Sequence, residues 1–387
     1  MEAHDIEKIA VIGAGTAGQG MAQVFALAGF KVALQDINHE MTDRAMASIG
    51  ENLEFLAEKG KISTEEKYAV LKNRINKINN LPEAVSGAGL VIEAVPEKME
   101  TKKLILREIS DNAPKDAILA TTTSALSVSE ISQWVTNPGR FIRMHFFNPV
   151  SRMKLVEVTG CETTEEKYIS AAREFAKKCG KLTVRVLKDS PGFIVNRINA
   201  PAQALLSAVL DEGKIEPASV DIAVKNAGMP MGPFELADYV GLDVFMNTLE
   251  YYSQTLSPDY TPGIIIREKV EKNELGMKTG KGIYFWQDGR AEICEPSDDP
   301  ELTLLDFFSI QANQAVKVYR KGIAGSTGEI DQAIIFGTRA IAGPFALAVN
   351  MHPDHITGCL EKLKDRYGLG ILAPEQEIKD GSFKSFS

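Results

Sequence analysis

Two residues near the middle of the chain have the types and spacing that proton transfer requires. His145 stands where an apolar, strand-like stretch from Phe141 to Phe147 meets an Asn148-Pro149 turn. Twelve residues on, Glu157 lies inside a second strand-like run, Leu155 to Val158. A carboxylate in such a run is costly to bury unless a partner neutralises it, and His145 is the nearest candidate in the sequence. If the turn folds the two runs together, the pair becomes an imidazole oriented by a carboxylate. That fixes the tautomer and raises the basicity of the free ring nitrogen. Taken alone, the same residues also describe a core histidine and an edge-strand glutamate. The elements around them decide between the two readings.

Lys8 to Ile12 is a β-branched run suited to a central parallel strand. It leads into Gly13-Ala-Gly15-Thr-Ala-Gly18 and then a helix through Met21, Val24, Phe25 and Leu27. A second strand, Lys31 to Gln35, ends in Asp36, 18 residues after Gly18. In this context each residue type has a job. Gly13 permits the tight turn, Gly15 lets the backbone approach a pyrophosphate, and Gly18 lets the helix pack closely. The helix start receives the phosphates. Asp36 accepts from a ribose and repels a 2′-phosphate, so NAD is favoured over NADP.

Residues 39–72 read as two helices joined at Lys59-Gly60-Lys61, an insertion long for a plain crossover. Strand-helix alternation resumes with Gly89 to Val95, Ala117 to Thr121 and the hydroxyl-rich Thr121 to Ser124, and closes with Lys181 to Leu187. Asp36, Glu97, Ser124 and His145 all fall at or just past strand ends, where doubly wound sheets bind ligands. Asp189-Ser-Pro-Gly192 marks a boundary. Long helices follow: Val195 to Leu210, Val220 to Ala227 and Phe234 to Thr248. Gly213, Val220-Asp221, Gly228 and Gly232-Pro-Phe234 recur in order as Gly322, Ile330-Asp331, Gly337 and Gly343-Pro-Phe345, at an offset of about 110 residues. The expected fold is therefore α/β: a doubly wound Rossmann-type domain (1–188) with a helical hairpin insertion. Two tandem all-α copies (189–290 and 291–387) follow.

The composition, 44% hydrophobic and 25% charged, is that of a globular protein. A net charge of −9 argues against a nucleic-acid binder. The four cysteines form no CxxC pair, which excludes a zinc site or disulfide framework, fits a reducing, cytoplasmic setting and leaves no metal expected. The short acidic start, running directly into a strand, is not expected to be a leader peptide. The apolar stretch Ala333 to Val349 is broken by Arg339, Gly and Pro, so no membrane span is expected.

With these strings assembled, the chain resembles the L-3-hydroxyacyl-CoA dehydrogenase family over nearly its whole length. The resemblance is carried by Gly13 to Gly18, Glu93-Ala-Val-Pro-Glu97, Thr123-Ser124, His145-Phe-Phe-Asn-Pro149 with Glu157, Asp189-Ser-Pro-Gly-Phe-Ile-Val-Asn-Arg197, Gly232 to Asp238, and Lys278-Thr-Gly-Lys-Gly282. It implies oxidoreduction between 3-hydroxyacyl-CoA and 3-oxoacyl-CoA, with His145 as general base and Glu157 polarising it. Ser124 and Asn196 would bind the substrate's oxygens, Glu97 and Lys102 would line NAD, and Lys59 would meet the CoA phosphates. Thr122 and Ala17 depart from the family's usual Asn and Met. The second helical copy is expected to be structural and to occupy the place of a dimer partner, giving a monomer or a dimer built on another surface. Longer relatives with two copies often carry an enoyl-CoA hydratase domain, so association with such an enzyme is implied; no such domain is read in this sequence. The rival readings are a gulonate-type sugar-acid dehydrogenase of the same fold and a non-catalytic NAD-binding structural protein.

Overall fold

The computed structural model describes residues 6–124, 126–296 and 300–386. The extreme N-terminus and the last residues of the Asp288–Asp299 linker lie outside them. The chain divides into two compact units, Met1–Ser190 and Pro191–Ser387.

In the first unit β1 (Lys8–Ile12), α1 (Thr16–Leu27) and β2 (Lys31–Gln35) are followed by the insertion, α2 (His39–Glu58) and α3 (Thr64–Ala69). Asn38 and Ser63 start these two helices by accepting from Glu40 N and Glu66 N at 2.8 and 3.1 Å. Next come β3 (Ile75–Ile78), α4 (Leu81–Val85), β4 (Leu90–Glu93), α5 (Met99–Asn112), β5 (Ile118–Thr121) and α6 (Val128–Ser132). β6 (Phe141–Phe146), β7 (Leu155–Gly160), α7 (Glu166–Lys178) and β8 (Leu182–Arg185) complete the unit.

One eight-stranded sheet runs β3-β2-β1-β4-β5-β6-β7-β8. Neighbours are parallel except β6 and β7, which are antiparallel. The central strands β4 and β5 are buried throughout; their apolar residues pack on both faces, and Glu93 and Thr121 at their ends are buried as a hydrogen-bonded pair. β3 was not read from sequence. Its Ile-Asn-Lys-Ile pattern buries little beyond Ile75, which is all that an edge strand on β2 needs. Phe25 of α1 meets Phe146 and Phe175 edge-on, with ring centroids 5.7 and 5.0 Å apart. The residue after His145 is thereby clamped to the helix that the glycine turn launches.

The second unit contains α8 (Val195–Glu212), α9 (Pro217–Asn226), α10 (Pro233–Val240), α11 (Leu242–Thr255) and α12 (Ile264–Glu271). It continues with α13 (Leu304–Arg320), α14 (Thr327–Thr338), α15 (Pro344–Ala348), α16 (Pro353–Tyr367) and α17 (Gln376–Asp380). The single helix expected from Phe234 to Thr248 is two helices. Gly241 adopts φ +108°, outside the range of a continuing helix, and the chain turns there.

The repeat noted in sequence has a shared physical device. Asp221 accepts from Phe234 N and Glu235 N at 2.9 and 2.7 Å; Asp331 accepts from Phe345 N and Ala346 N at 2.8 and 2.9 Å. Each carboxylate satisfies orphan N–H groups of a helix start. Each also packs so close to the preceding glycine, Gly232 or Gly343, that a Cβ there would lie 2.3 Å from it. That explains why Asp and Gly-Pro-Phe recur together. Asp238, which has no counterpart in the second half, accepts from Ile283 N, Tyr284 N and Trp286 Nε1 at 2.8, 2.8 and 2.9 Å. The Lys278–Gly282 string wraps over this carboxylate, and a Cβ at Gly282 would come within 2.2 Å of it.

The two halves meet along α8 and α13. Gln311 donates to Asn199 at 2.8 Å, and Arg366 forks onto Glu212 at 3.2 and 2.8 Å. Among the described residues no helix is long and apolar enough to cross a membrane.

Asp221 also accepts the Tyr284 hydroxyl at 2.8 Å, and burial pushes its carboxyl up to about 6 against these donors. Replacing Asp331 by Ala should cost about 1–2 kcal/mol of stability, the range of a lost helix cap. Asp221→Ala should cost more, because it orphans a third donor. Urea denaturation of the two variants checks the order; equal losses would show that the Tyr284 contact adds nothing.

Candidate active site

The antiparallel register of β6 and β7 sets His145 directly opposite Glu157, so their side chains share one face of the sheet. His145 Nδ1 lies 3.0 Å from Glu157 Oε2. Both are buried, Glu157 completely. With Nδ1–H donating to the carboxylate, Nε2 is the ring nitrogen left to exchange a proton. The Phe147 ring, 4.4 Å away and edge-on, holds the imidazole plane.

Arg143 stands two residues before His145 and therefore on the same face of β6. It is fully buried. Its Nη2 donates to the same Glu157 Oε2 at 3.3 Å, and its Nε donates to the Thr123 carbonyl at 2.6 Å. The sequence reading gave Arg143 no role. The signal was available: a cation at the i−2 position of a candidate base, inside an otherwise apolar run. Burial pushes its guanidinium down to about 10, with Glu157 opposing, so it is charged at neutral pH. Burial also lowers the His145 pKa; Arg143 lowers it further, and the Glu157 hydrogen bond pulls the other way.

On the far side of β5, Glu97 Oε1 accepts from the Thr123 hydroxyl at 2.5 Å and from Ser124 N at 2.8 Å. The Ser124 hydroxyl lies 3.4 Å from the same oxygen. Lys102 reaches Glu97 at 3.1 Å and Glu93 at 2.7 Å. Glu93 in turn accepts the Thr121 hydroxyl at 2.6 Å. Burial pushes the Glu97 carboxyl up, but Lys102 and the Thr123 and Ser124 donors outweigh it and hold it at about 2. Lys102 is only 1% exposed, so its ammonium serves these two carboxylates beneath the surface. The result is a continuous polar path across the ends of β4, β5 and β6: Lys102, Glu97, the Thr123-Ser124 turn, Arg143, Glu157, His145.

The glycine turn fits a dinucleotide. Gly13 has φ +107°, and a Cβ there would strike the Ala94 carbonyl oxygen at 2.6 Å. A Cβ at Gly18 would lie 1.8 Å from the Gly13 oxygen, whereas at Gly15 it would meet nothing within 4 Å. The open face is the one a pyrophosphate needs. The N-terminus of α1 has no side-chain cap and no acidic residue in its first turn, which suits an anion. Asp36, at the end of β2, accepts from Ala14 N at 2.9 Å and so stands against the same turn.

The two remaining sequence-nominated residues are Lys59 and Asn196. Lys59 ends α2, exposed, with its ammonium 5.6 Å above the Phe55 ring. Asn196 lies in the first turn of α8, in the helical unit.

Residues 8–190 match the description "3-hydroxyacyl-CoA dehydrogenase, NAD binding domain", and residues 192–286 match "3-hydroxyacyl-CoA dehydrogenase, C-terminal domain". The chain belongs to the 3-hydroxyacyl-CoA dehydrogenase family. It is 37% identical to a probable 3-hydroxyacyl-CoA dehydrogenase of Caenorhabditis elegans, over 73% of this chain and 97% of that one. It is 34% identical to the fatty acid oxidation complex subunit alpha of Psychrobacter cryohalolentis, matched over 98% of this chain but only 55% of that longer protein. The crystal structure of 3-hydroxybutyryl-CoA dehydrogenase from Escherichia coli K12 superimposes with a TM-score of 0.86 at 26% identity, covering 97% of this chain and 98% of that one. The enzyme is thus an NAD-dependent 3-hydroxyacyl-CoA dehydrogenase, and its cofactor is the dinucleotide that the glycine turn fits.

Because Arg143 and His145 compete for one carboxylate oxygen, Arg143→Met should raise the His145 pKa. Glu157 would then be left to stabilise the imidazolium alone. NMR titration of the imidazole in both proteins measures this, and an unchanged or lower value in the variant would refute the competition.

Proposed function

We propose that this dehydrogenase uses His145 and Glu157 as its acid–base pair in interconverting a (S)-3-hydroxyacyl-CoA and the 3-oxoacyl-CoA. The observation that carries the reading is the buried 3.0 Å contact from Nδ1 to Oε2, which leaves Nε2 as the exchanging nitrogen. Bound NAD supplies the acceptor for the hydride that leaves C3. His145 Nε2 takes the hydroxyl proton as the carbonyl forms and returns it in the reverse direction. Glu157 stabilises the imidazolium created by that transfer. Arg143 keeps the dyad from holding a proton before substrate arrives, since its charge disfavours a second cation beside it. Glu97, fixed as an anion by Lys102, positions the Ser124 backbone and hydroxyl at the end of β5. Lys102 therefore acts on the site through Glu97. The roles of Ser124 and Asn196 toward substrate oxygens and of Lys59 toward CoA rest on the family resemblance.

We also infer that residues 189–290 and 291–387 are tandem copies of one helical module. The Asp221 and Asp331 caps and the pairing of α8 with α13 support this. One chain then supplies what a two-chain helical assembly would, which supports a monomer. The name of the Psychrobacter relative, a subunit of a fatty acid oxidation complex, supports a multienzyme setting with an enzyme such as an enoyl-CoA hydratase. Four free cysteines support a reducing, cytoplasmic one.

With acetoacetyl-CoA and NADH, His145→Gln should lose about 10²–10⁴-fold in kcat while still binding NADH, the usual contribution of a positioned base. Steady-state kinetics and NADH fluorescence read the two effects separately, and wild-type turnover in the variant would remove His145 from the mechanism. Asp36→Gly should relax the preference for NADH over NADPH, as a ratio of kcat/KM. If the ratio does not move, Asp36 does not read the ribose.

A further inference from the structure

Within the helical unit a cavity of about 390 Å³ lies along the seam of the two halves, and its lining is strongly cationic. That volume falls in the range of small-molecule sites. Arg197 reaches it from α8, Lys317 and Arg320 from the last turn of α13, and Lys321 from just beyond. Glu375 is the carboxylate among these lining residues.

The lining cations are not equally compensated. Arg320 pairs with Glu375 at 2.8 Å and with Glu377 at 2.9 Å, while Lys317 shares Glu375 at 3.5 Å and donates to the Ile371 carbonyl at 2.9 Å. Arg197 is different. It is only 7% exposed, and both Nε and Nη1 are buried without a hydrogen-bond partner. A buried guanidinium with idle donors is among the most costly groups a protein can hold. Burial works against its charge, and the neighbouring Tyr260 and Tyr252 are neutral phenols at physiological pH. Such a group persists where an anion completes it.

We propose that this cavity binds a phosphate monoester, its phosphoryl oxygens taken by Arg197 and Lys317 and its organic part lodged against Leu256 and Tyr260. A phosphoryl group carries close to two negative charges at neutral pH, which suits the two cations that would hold it, Arg197 and Lys317, better than a single carboxylate does. Its tetrahedral oxygens can accept from donors on two separate helices, and arginine presents a planar fork for that contact. The cavity is larger than one phosphate ion, and Leu256 gives it an apolar wall. The ligand bridges the two helical halves and stabilises their seam.

The test is isothermal titration calorimetry of the full chain saturated with NADH, which fills the dinucleotide phosphate site, at constant ionic strength. Phenyl phosphate should bind saturably at one site and more tightly than inorganic phosphate. Arg197→Met and Lys317→Met should each weaken it by about tenfold or more, an energy within reach of one lost charged contact. Should Arg197→Met fail to fold, Lys317→Met on the neighbouring helix carries the test. Unaltered affinity in the folded variants, or no saturable heat in the wild type, overturns the site. Phenylacetate binding as tightly as phenyl phosphate overturns the phosphoryl assignment. Inorganic phosphate binding as tightly as phenyl phosphate overturns the ester.

Discussion

Glu157 is a carboxylate with no water around it, in the middle of a strand that has sheet on both sides. Such a charge can exist only if the fold surrounds it with donors, and two of them arrive from β6, its antiparallel neighbour. The antiparallel step is what puts His145 and Arg143 within reach. A parallel neighbour would need a long crossover and could not place a residue twelve positions away directly opposite. The short Phe147 to Lys154 connection, the Phe25 and Phe146 contact and the burial of Arg143 all serve to hold this carboxylate in place. A buried acid completed by one fixed cation and one titratable ring favours a ring that is neutral at rest.

Much of this was legible in the chain, but unevenly. The glycine turn announces itself because its three positions fail sterically with any larger residue, two by collision with backbone and one by blocking an approach. The histidine and glutamate could be paired because a turn signal lay between two strand-like runs. Lys102 could be placed on α5 but not buried: a helical lysine usually points to water, and only the acids Glu93 and Glu97, at the end of a different element, draw it inward. Arg143 was passed over for a related reason, since its partner is another residue's partner. The break at Gly241 depends on a backbone angle, and glycine within a helical pattern does not declare which angle it takes.

The aspartates of the helical unit show what repetition in sequence can mean physically. Asp221 and Asp331 are neither catalytic nor ligand-binding in this reading; they are caps placed so tightly that the facing residue must be glycine. The motif Asp, then Gly-Pro-Phe, is one mechanical part used twice. Asp238 belongs to a different part, the Lys278–Gly282 wrap, which the second half has no residue to anchor.

The seam between α8 and α13 has a consequence for how such a protein can change. When two copies of a module come from two identical chains, the interface is self-complementary, and every substitution appears on both faces at once. Here the faces are encoded by separate stretches of one chain. A charge can be added to one side and left off the other. Asn199 meets Gln311, Glu212 meets Arg366, and Arg197 faces a row of lysine and arginine that it does not itself repeat. On the tandem-copy proposal, joining the copies released the interface from symmetry, and an asymmetric interface can acquire features that a twofold axis would duplicate.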